Sequence, residues 1–150
     1  MEIQLLVIII IMIACSAFFS ASETALTGAN RIRLKSMAEN GSKGAKMALK
    51  LLDRYDKVIT TILIGNNKVN TTPSSLGTIL ATAVVGADNA ALVSTVVLTL
   101  VILTFGEVMP KSLAKDHSEG LTVATSGIIT FLTFIFTPLS ALFILLKKLA

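Results

Sequence analysis

The stretch "ALVSTVVLTLVILTFGEVMPKSLA" (91–114) opens with thirteen residues, 91–103, that carry no charge, and then meets Glu107 just before Pro110-Lys111. About 20 predominantly apolar residues cross the hydrocarbon core of a bilayer, so the segment reads as a membrane-spanning helix over 90–109. A charge at the centre of such a helix costs about 2.5–3.5 kcal/mol on insertion scales, which is why carboxylates there face a cavity, a partner or an ion. What meets Glu107 is therefore the first functional question.

Working outward, composition agrees with a membrane solvent. Of 150 residues 53% are hydrophobic and 15% charged, with a mean hydropathy of +0.81. That is more apolar surface than a water-soluble domain of this size can hide. The formal charge of +4 is concentrated between Gly28 and Lys57, where eight Lys/Arg face only Glu39, Asp53 and Asp56. Such a stretch suits an anionic membrane surface. With no Trp, one Tyr and no basic stripe interleaved with aromatics, nucleic acid is not an expected partner. Cys15 stands alone, which excludes an internal disulfide and a thiolate metal cluster and leaves a small helix residue.

The first apolar run, 3–28, is long enough to span with tilt. Residues 31–57 read as an amphipathic hairpin: Ile32, Leu34, Met37 and Ala38 form one apolar side, Asn40-Gly41 a stop, Ser42 a new N-cap, and Ala45, Ala48, Leu49 and Leu52 the second side. Residues 58–85 have apolar ends around a polar middle containing Lys68 and Pro73, which leaves helix continuity open and suits a segment buried in protein or lining a wet cavity. The last run, 121–146, is interrupted by Pro138 and ends in Lys147-Lys148. Basic residues favour the cytoplasmic side, which puts the N-terminus outside and the 31–57 hairpin inside. A fourth full span would send Lys147 and Lys148 outside, so three spans (3–28, 58–85, 90–109) are preferred, with 121–146 as membrane-embedded or interfacial helices and a cytoplasmic C-terminus.

Each span brings oxygen to its middle. Ser16, Ser20 and Glu23 share a face of the first helix, Asn66 and Asn70 lie four apart with Asn67 between them, and Pro110 lacks the N–H that the Gly106 carbonyl would otherwise accept. Hydroxyl, amide and carboxylate oxygens are hard ligands suited to Mg²⁺ or Ca²⁺ rather than zinc or copper. His117, beside Asp116 and Glu119, reads as a solvated loop histidine. The same groups could instead be helix glue, with Glu107 paired to Lys68 or protonated by desolvation. No catalytic motif is present, so enzymatic activity is not expected.

"FFSASETAL" (18–26), "ILIGNNKVN" (62–70) and "FGEVMPKSLA" (105–114), in this order and around a basic hairpin, resemble the transmembrane domain of the CNNM/CorC family of magnesium transporters over essentially the full chain. The resemblance implies an all-α membrane protein with three transmembrane helices and a juxtamembrane belt, assembled as a homodimer in the plasma membrane of a bacterium. It implies Mg²⁺ export by alternating access coupled to Na⁺, with Ser20, Asn66, Asn70 and Glu107 as ion ligands. Ser16, Glu23, Asn67, Gly106 and Pro110 are implied helpers in the cavity or at a secondary site. It also implies cytosolic cystathionine-β-synthase-type modules beyond the membrane domain. The alternatives are a dimeric membrane anchor that transports nothing, or a channel of loose Mg²⁺/Co²⁺ selectivity.

Overall fold

A computed structural model describes all residues, Met1–Ala150, and the chain is helical almost throughout. The helices are α1 (Glu2–Gly28), α2 (Arg31–Glu39), α3 (Lys43–Asp53), α4 (Tyr55–Val85), α5 (Ala87–Val101), α6 (Met109–Asp116), α7 (Ser118–Ile135) and α8 (Thr137–Leu149), with a π-helical segment, Ile102–Val108, joining α5 to α6. Backbone groups in lipid must be satisfied within their own segment, which makes even the β-branched run Ile8–Ile11 helical. Three helices are long and apolar enough to cross a membrane: α1, the continuous stretch Ala87–Asp116, and α7. By length α4 also qualifies, at 31 residues, but its polar middle breaks the apolar run. The helix does continue through the buried Pro73, with the Thr71 and Thr72 hydroxyls donating to the Asn67 and Lys68 carbonyls at 3.1 Å each.

The chain forms two compact units, whose boundaries fall inside α1, α4 and α6. The first comprises residues 1–20 and 65–112. Its large apolar side chains point outward, with Ile10, Leu92 and Leu100 at 57%, 69% and 60% exposure, while Ser16, Ser20, Asn66 and Ser94 are buried. This inverts the arrangement of a water-soluble core and fits a chain whose solvent is hydrocarbon. Two glycines allow the close approaches. A Cβ on Gly65 would sit 2.6 Å from Cζ of Phe19, and one on Gly77 would collide with Leu98.

The second unit comprises residues 21–64 and 113–150. Asn30 caps α2 by accepting from the Ile32 and Arg33 amides, at 2.9 and 3.2 Å. The helix ends in a Schellman turn, in which Gly41 at φ +96° donates to Ala38 and Ser42 to Met37. Ser42 then caps α3, accepting from Ala45 N at 3.2 Å. Leu34 and Ala38 are buried from the first helix of the hairpin, and Ala45, Ala48 and Leu51 from the second. Ile32, expected on the inner side, is 79% exposed, because the Asn30 cap starts the helix with that residue turned outward. α3 lies against α7, whose buried face is Ser118, Thr122, Ser126, Ile129 and Thr133. Thr61 of α4 and Ser140 of α8 share a hydrogen bond of 2.9 Å between two fully buried hydroxyls. α7 and α8 meet at Phe136, one residue before the turn that holds Pro138, so 121–146 is two helices.

Gly65→Val should destabilise the protein by about 1–3 kcal/mol, because the Phe19 ring must yield to the new side chain. Gly127, with open space around its virtual Cβ, serves as control: Gly127→Ala should be neutral or slightly stabilising. Thermal unfolding in detergent tests the pair, and equal midpoints for the two variants would refute the close-approach role of Gly65.

Candidate functional site

In the first unit the three segments singled out by their polar residues converge on one hydroxyl. Ser16 Oγ lies 2.6 Å from Asn70 Oδ1, 3.3 Å from Asn66 Oδ1 and 3.4 Å from the Gly106 carbonyl oxygen. Ser16 is 1% exposed and Asn66 7%. A hydroxyl has one proton to donate, so it satisfies one of these three acceptors at a time. The one other hydrogen bond among these side chains runs from Asn70 Nδ2 to Asn66 Oδ1 at 3.5 Å, the outer limit of such a bond. Four oxygens thus meet, three of them within 3.4 Å of Ser16 Oγ, an arrangement of hard ligands suited to a bound cation.

The backbone explains why Gly106 takes part. Pro110 cannot donate to the Gly106 carbonyl, and the helix accommodates the missing bond by widening over Ile102–Val108. Met109 N donates to Thr104 O, five residues back, and the helix continues beyond Pro110 to Asp116 rather than ending there. Gly106 is buried, and a Cβ on it would lie 3.0 Å from Ser16 Oγ and 3.3 Å from Ser16 Cβ. Only a residue without a side chain lets this carbonyl approach Ser16 so closely.

The remaining expected residues fall at differing distances from this centre. Ser20, one turn along α1, is completely buried and its Oγ, like that of Ser22, has no hydrogen-bond partner. Glu107 is one-third exposed and pairs with Lys111, Oε1 to Nζ 3.7 Å, one turn onward on its own helix. The alternative pairing with Lys68 is not formed. Asn67 and Lys68 are exposed, so the lysine ammonium is turned off the face that carries Asn66 and Asn70. Pro110 is part of α6, and Glu23 belongs to the second unit, where it is partly exposed. No group of three His, Cys, Asp or Glu side chains is placed to hold a metal, and His117 is exposed between α6 and α7. Two features lay outside the sequence reading: the π-helical widening, and Lys111 as the partner of Glu107, which its i, i+4 spacing could have signalled.

Residues 7–150 match the family described as CNNM, cyclin M transmembrane N-terminal domain. A UPF0053 protein of Haemophilus influenzae is 42% identical over 90% of this chain and 32% of its own length. The UPF0053 inner membrane protein YfjD of Escherichia coli is 42% identical over 83% of this chain and 29% of its own. A second Haemophilus influenzae protein, named polyamine export protein, is 26% identical over 87% of this chain and 33% of its own. The chain spans about a third of the length of these curated relatives.

Ser16→Ala leaves three acceptors without their shared donor and should cost about 1–3 kcal/mol of stability. Gly106→Ala should cost a similar amount by pressing a methyl against the same oxygen. The double variant is expected to lose less than the sum, because removing Oγ relieves the contact that the new methyl makes. Strict additivity in a thermal-unfolding cycle would mean that the two residues do not meet as described.

Proposed function

Because the chain belongs to the CNNM family, as its transmembrane domain, we propose that it moves Mg²⁺ across the membrane, exporting it by alternating access in exchange for inward Na⁺. The observation that carries the proposal is the convergence of oxygens from three segments on Ser16 Oγ. Mg²⁺ binds oxygen at 2.0–2.1 Å in near-octahedral geometry, so neighbouring ligand oxygens stand about 2.9 Å apart. The separations of 2.6, 3.3 and 3.4 Å from Ser16 Oγ bracket that value. Ser16, Asn66, Asn70 and the Gly106 carbonyl supply neutral oxygens, Ser20 a further hydroxyl one turn away, and Glu107 the neutralising charge once its carboxylate leaves Lys111. A site with one formal charge holds a divalent ion loosely enough to release it, as transport requires.

In this reading α4 is a span whose Asn66 is sheltered by protein and whose exposed Asn67 and Lys68 line a wet cavity, with 3–28 and 90–109 as the others. The N-terminus lies outside, and the basic hairpin and the C-terminus lie in the cytoplasm. Two copies form the working unit, and cystathionine-β-synthase-type modules regulate it in the longer protein. Export of Mg²⁺ against a negative-inside potential costs about 4.6 kcal/mol per 100 mV, twice the value for a single charge, which is the reason for a coupling ion.

The relative named polyamine export protein favours a second reading. A primary ammonium carries three donors and could also be held by the oxygens that converge at Ser16.

Calorimetric titration of the purified protein with MgCl₂, and separately with spermidine, decides between them. Mg²⁺ binding is expected, weakened in Ser16→Ala and Asn70→Ala by more than the 10- to 100-fold that outer-shell changes alone bring about. Asn70→Asp should keep or tighten binding, because the oxygen stays and charge is added. If the amides serve only as helix glue, Asn70→Asp buries a carboxylate without a partner and destabilises the fold with no gain in Mg²⁺ affinity. Binding of spermidine alone would favour the polyamine reading. Efflux from Mg²⁺-loaded vesicles that does not depend on a Na⁺ gradient would remove the coupling step and favour a channel.

A further inference from the structure

Within the second unit, α3, the start of α4, α7 and the start of α8 enclose a half-open trough of about 860 Å³. Its floor is apolar, built from the buried Leu51 and Val58, and Phe134, Pro138, Thr130 and Thr133 complete the lining. Three cations, Lys50, Arg54 and Lys57, stand on its rim. The one acid among the lining residues, Asp53, is engaged elsewhere: its Oδ1 accepts from Arg31 Nη1 at 2.8 Å. The rim therefore keeps an uncompensated positive charge. Lys57 also lines an adjoining cavity of about 300 Å³, with Ile144, Leu145 and Lys148, which extends the same pattern of an apolar wall under a cationic edge. The trough is continuous with apolar surface that water would not tolerate, since Phe134 is 79% exposed and Phe131 62%.

We propose that this trough is a binding site for one anionic phospholipid, whose acyl chain lies along Leu51, Val58, Phe134 and Pro138 while its phosphate is held by Lys50, Arg54 and Lys57. The charge complementarity selects the lipid. Each Lys or Arg near an anionic headgroup contributes favourably, and basic pockets beside membrane helices bind acidic headgroups for this reason. The apolar floor distinguishes a seated lipid from a phosphate attracted to a basic surface, since a free phosphate has nothing to place there. A trough this size is also preformed, so the lipid need not order the helices that bind it. The site is independent of the ion cluster around Ser16, because none of its residues belongs to the first unit.

The test uses the whole chain in detergent, titrated with phosphatidylglycerol and separately with phosphatidylcholine and followed by native mass spectrometry. Retention of one phosphatidylglycerol in preference to phosphatidylcholine is expected. The triple variant Lys50→Gln, Arg54→Gln, Lys57→Gln should lower its affinity by about 10- to 100-fold. Thr130→Trp, which fills the trough from an exposed position and leaves the rim charges in place, should abolish the high-affinity lipid. Circular dichroism confirms that both variants remain helical. Equal retention of the two lipids, or phosphatidylglycerol binding that survives Thr130→Trp, would overturn the proposal in favour of a merely basic surface. Displacement of the lipid by millimolar inorganic phosphate would also overturn it, because a seated acyl chain resists an ion that competes only for the rim. Ser16→Ala should leave lipid binding unchanged whether or not the chain binds Mg²⁺.

Discussion

The arrangement around Ser16 depends on bringing oxygens from three segments of the chain to one hydroxyl. The Ser16 hydroxyl donates to one at a time of two amide oxygens and a carbonyl oxygen, with Ser16 and Asn66 buried and Asn70 partly so. The backbone is arranged to the same end. Gly106 lets its carbonyl reach Ser16, Gly65 lets α4 come against the Phe19 ring one residue before Asn66, and Pro110 withholds the donor that would compete for the Gly106 carbonyl.

The π-helical segment follows from these demands. A proline inside a helix both removes a donor and crowds the carbonyl four residues back. Over Ile102–Val108 the chain relieves that crowding by widening rather than kinking or stopping, so α6 continues to Asp116. The extra residue in the turn changes which side chains face which way after it. That is how Gly106 can be buried against Ser16 while Glu107, the next residue, remains one-third exposed beside Lys111. An exposed i, i+4 ion pair contributes at most a few tenths of a kcal/mol. Glu107 is therefore held only lightly by Lys111, and its carboxylate can exchange that partner for a better one at little cost.

Much of this could be read in the sequence because the relevant rules are local. The long uncharged runs mark an all-helical membrane chain, Asn40-Gly41-Ser42 carries the residues that a Schellman turn and an N-cap demand, and the i, i+4 spacing puts Asn66 and Asn70 on one face. The three motifs that carry the family resemblance lie where the family match covers the chain. What escaped the sequence depended on longer-range or subtler geometry. Spacing alone puts Ser16 and Ser20 on the same side of α1, and only the approach of the neighbouring helices decides that Ser16 becomes the centre while Ser20 stays unpaired. Pro110 suggested the end of a helix because sequence shows the lost donor but not the widened turn that absorbs it. Likewise the outward turn of Ile32 is set by where the Asn30 cap starts α2, a rotation that a list of apolar residues does not contain.

The two units present different chemistry to a membrane. Around Ser16 the polar atoms are small, neutral and inward, and the large apolar side chains of α1 and α5 face out, so the solvent of that unit is hydrocarbon and its interior is the polar phase. Around the trough the cations Lys50, Arg54 and Lys57 ring an apolar floor, an amphipathic surface that neither water nor hydrocarbon satisfies alone. A dehydrated ion needs converging oxygens with little fixed charge, since a stronger field would trap it. A headgroup needs the reverse, long flexible cations that follow a phosphate at the interface and an apolar wall for the chain beneath it. Under the two proposals the sets of residues are not interchangeable: lysines at Ser16 would repel a divalent ion, and asparagines on the trough would leave an anionic lipid without its counter-charge.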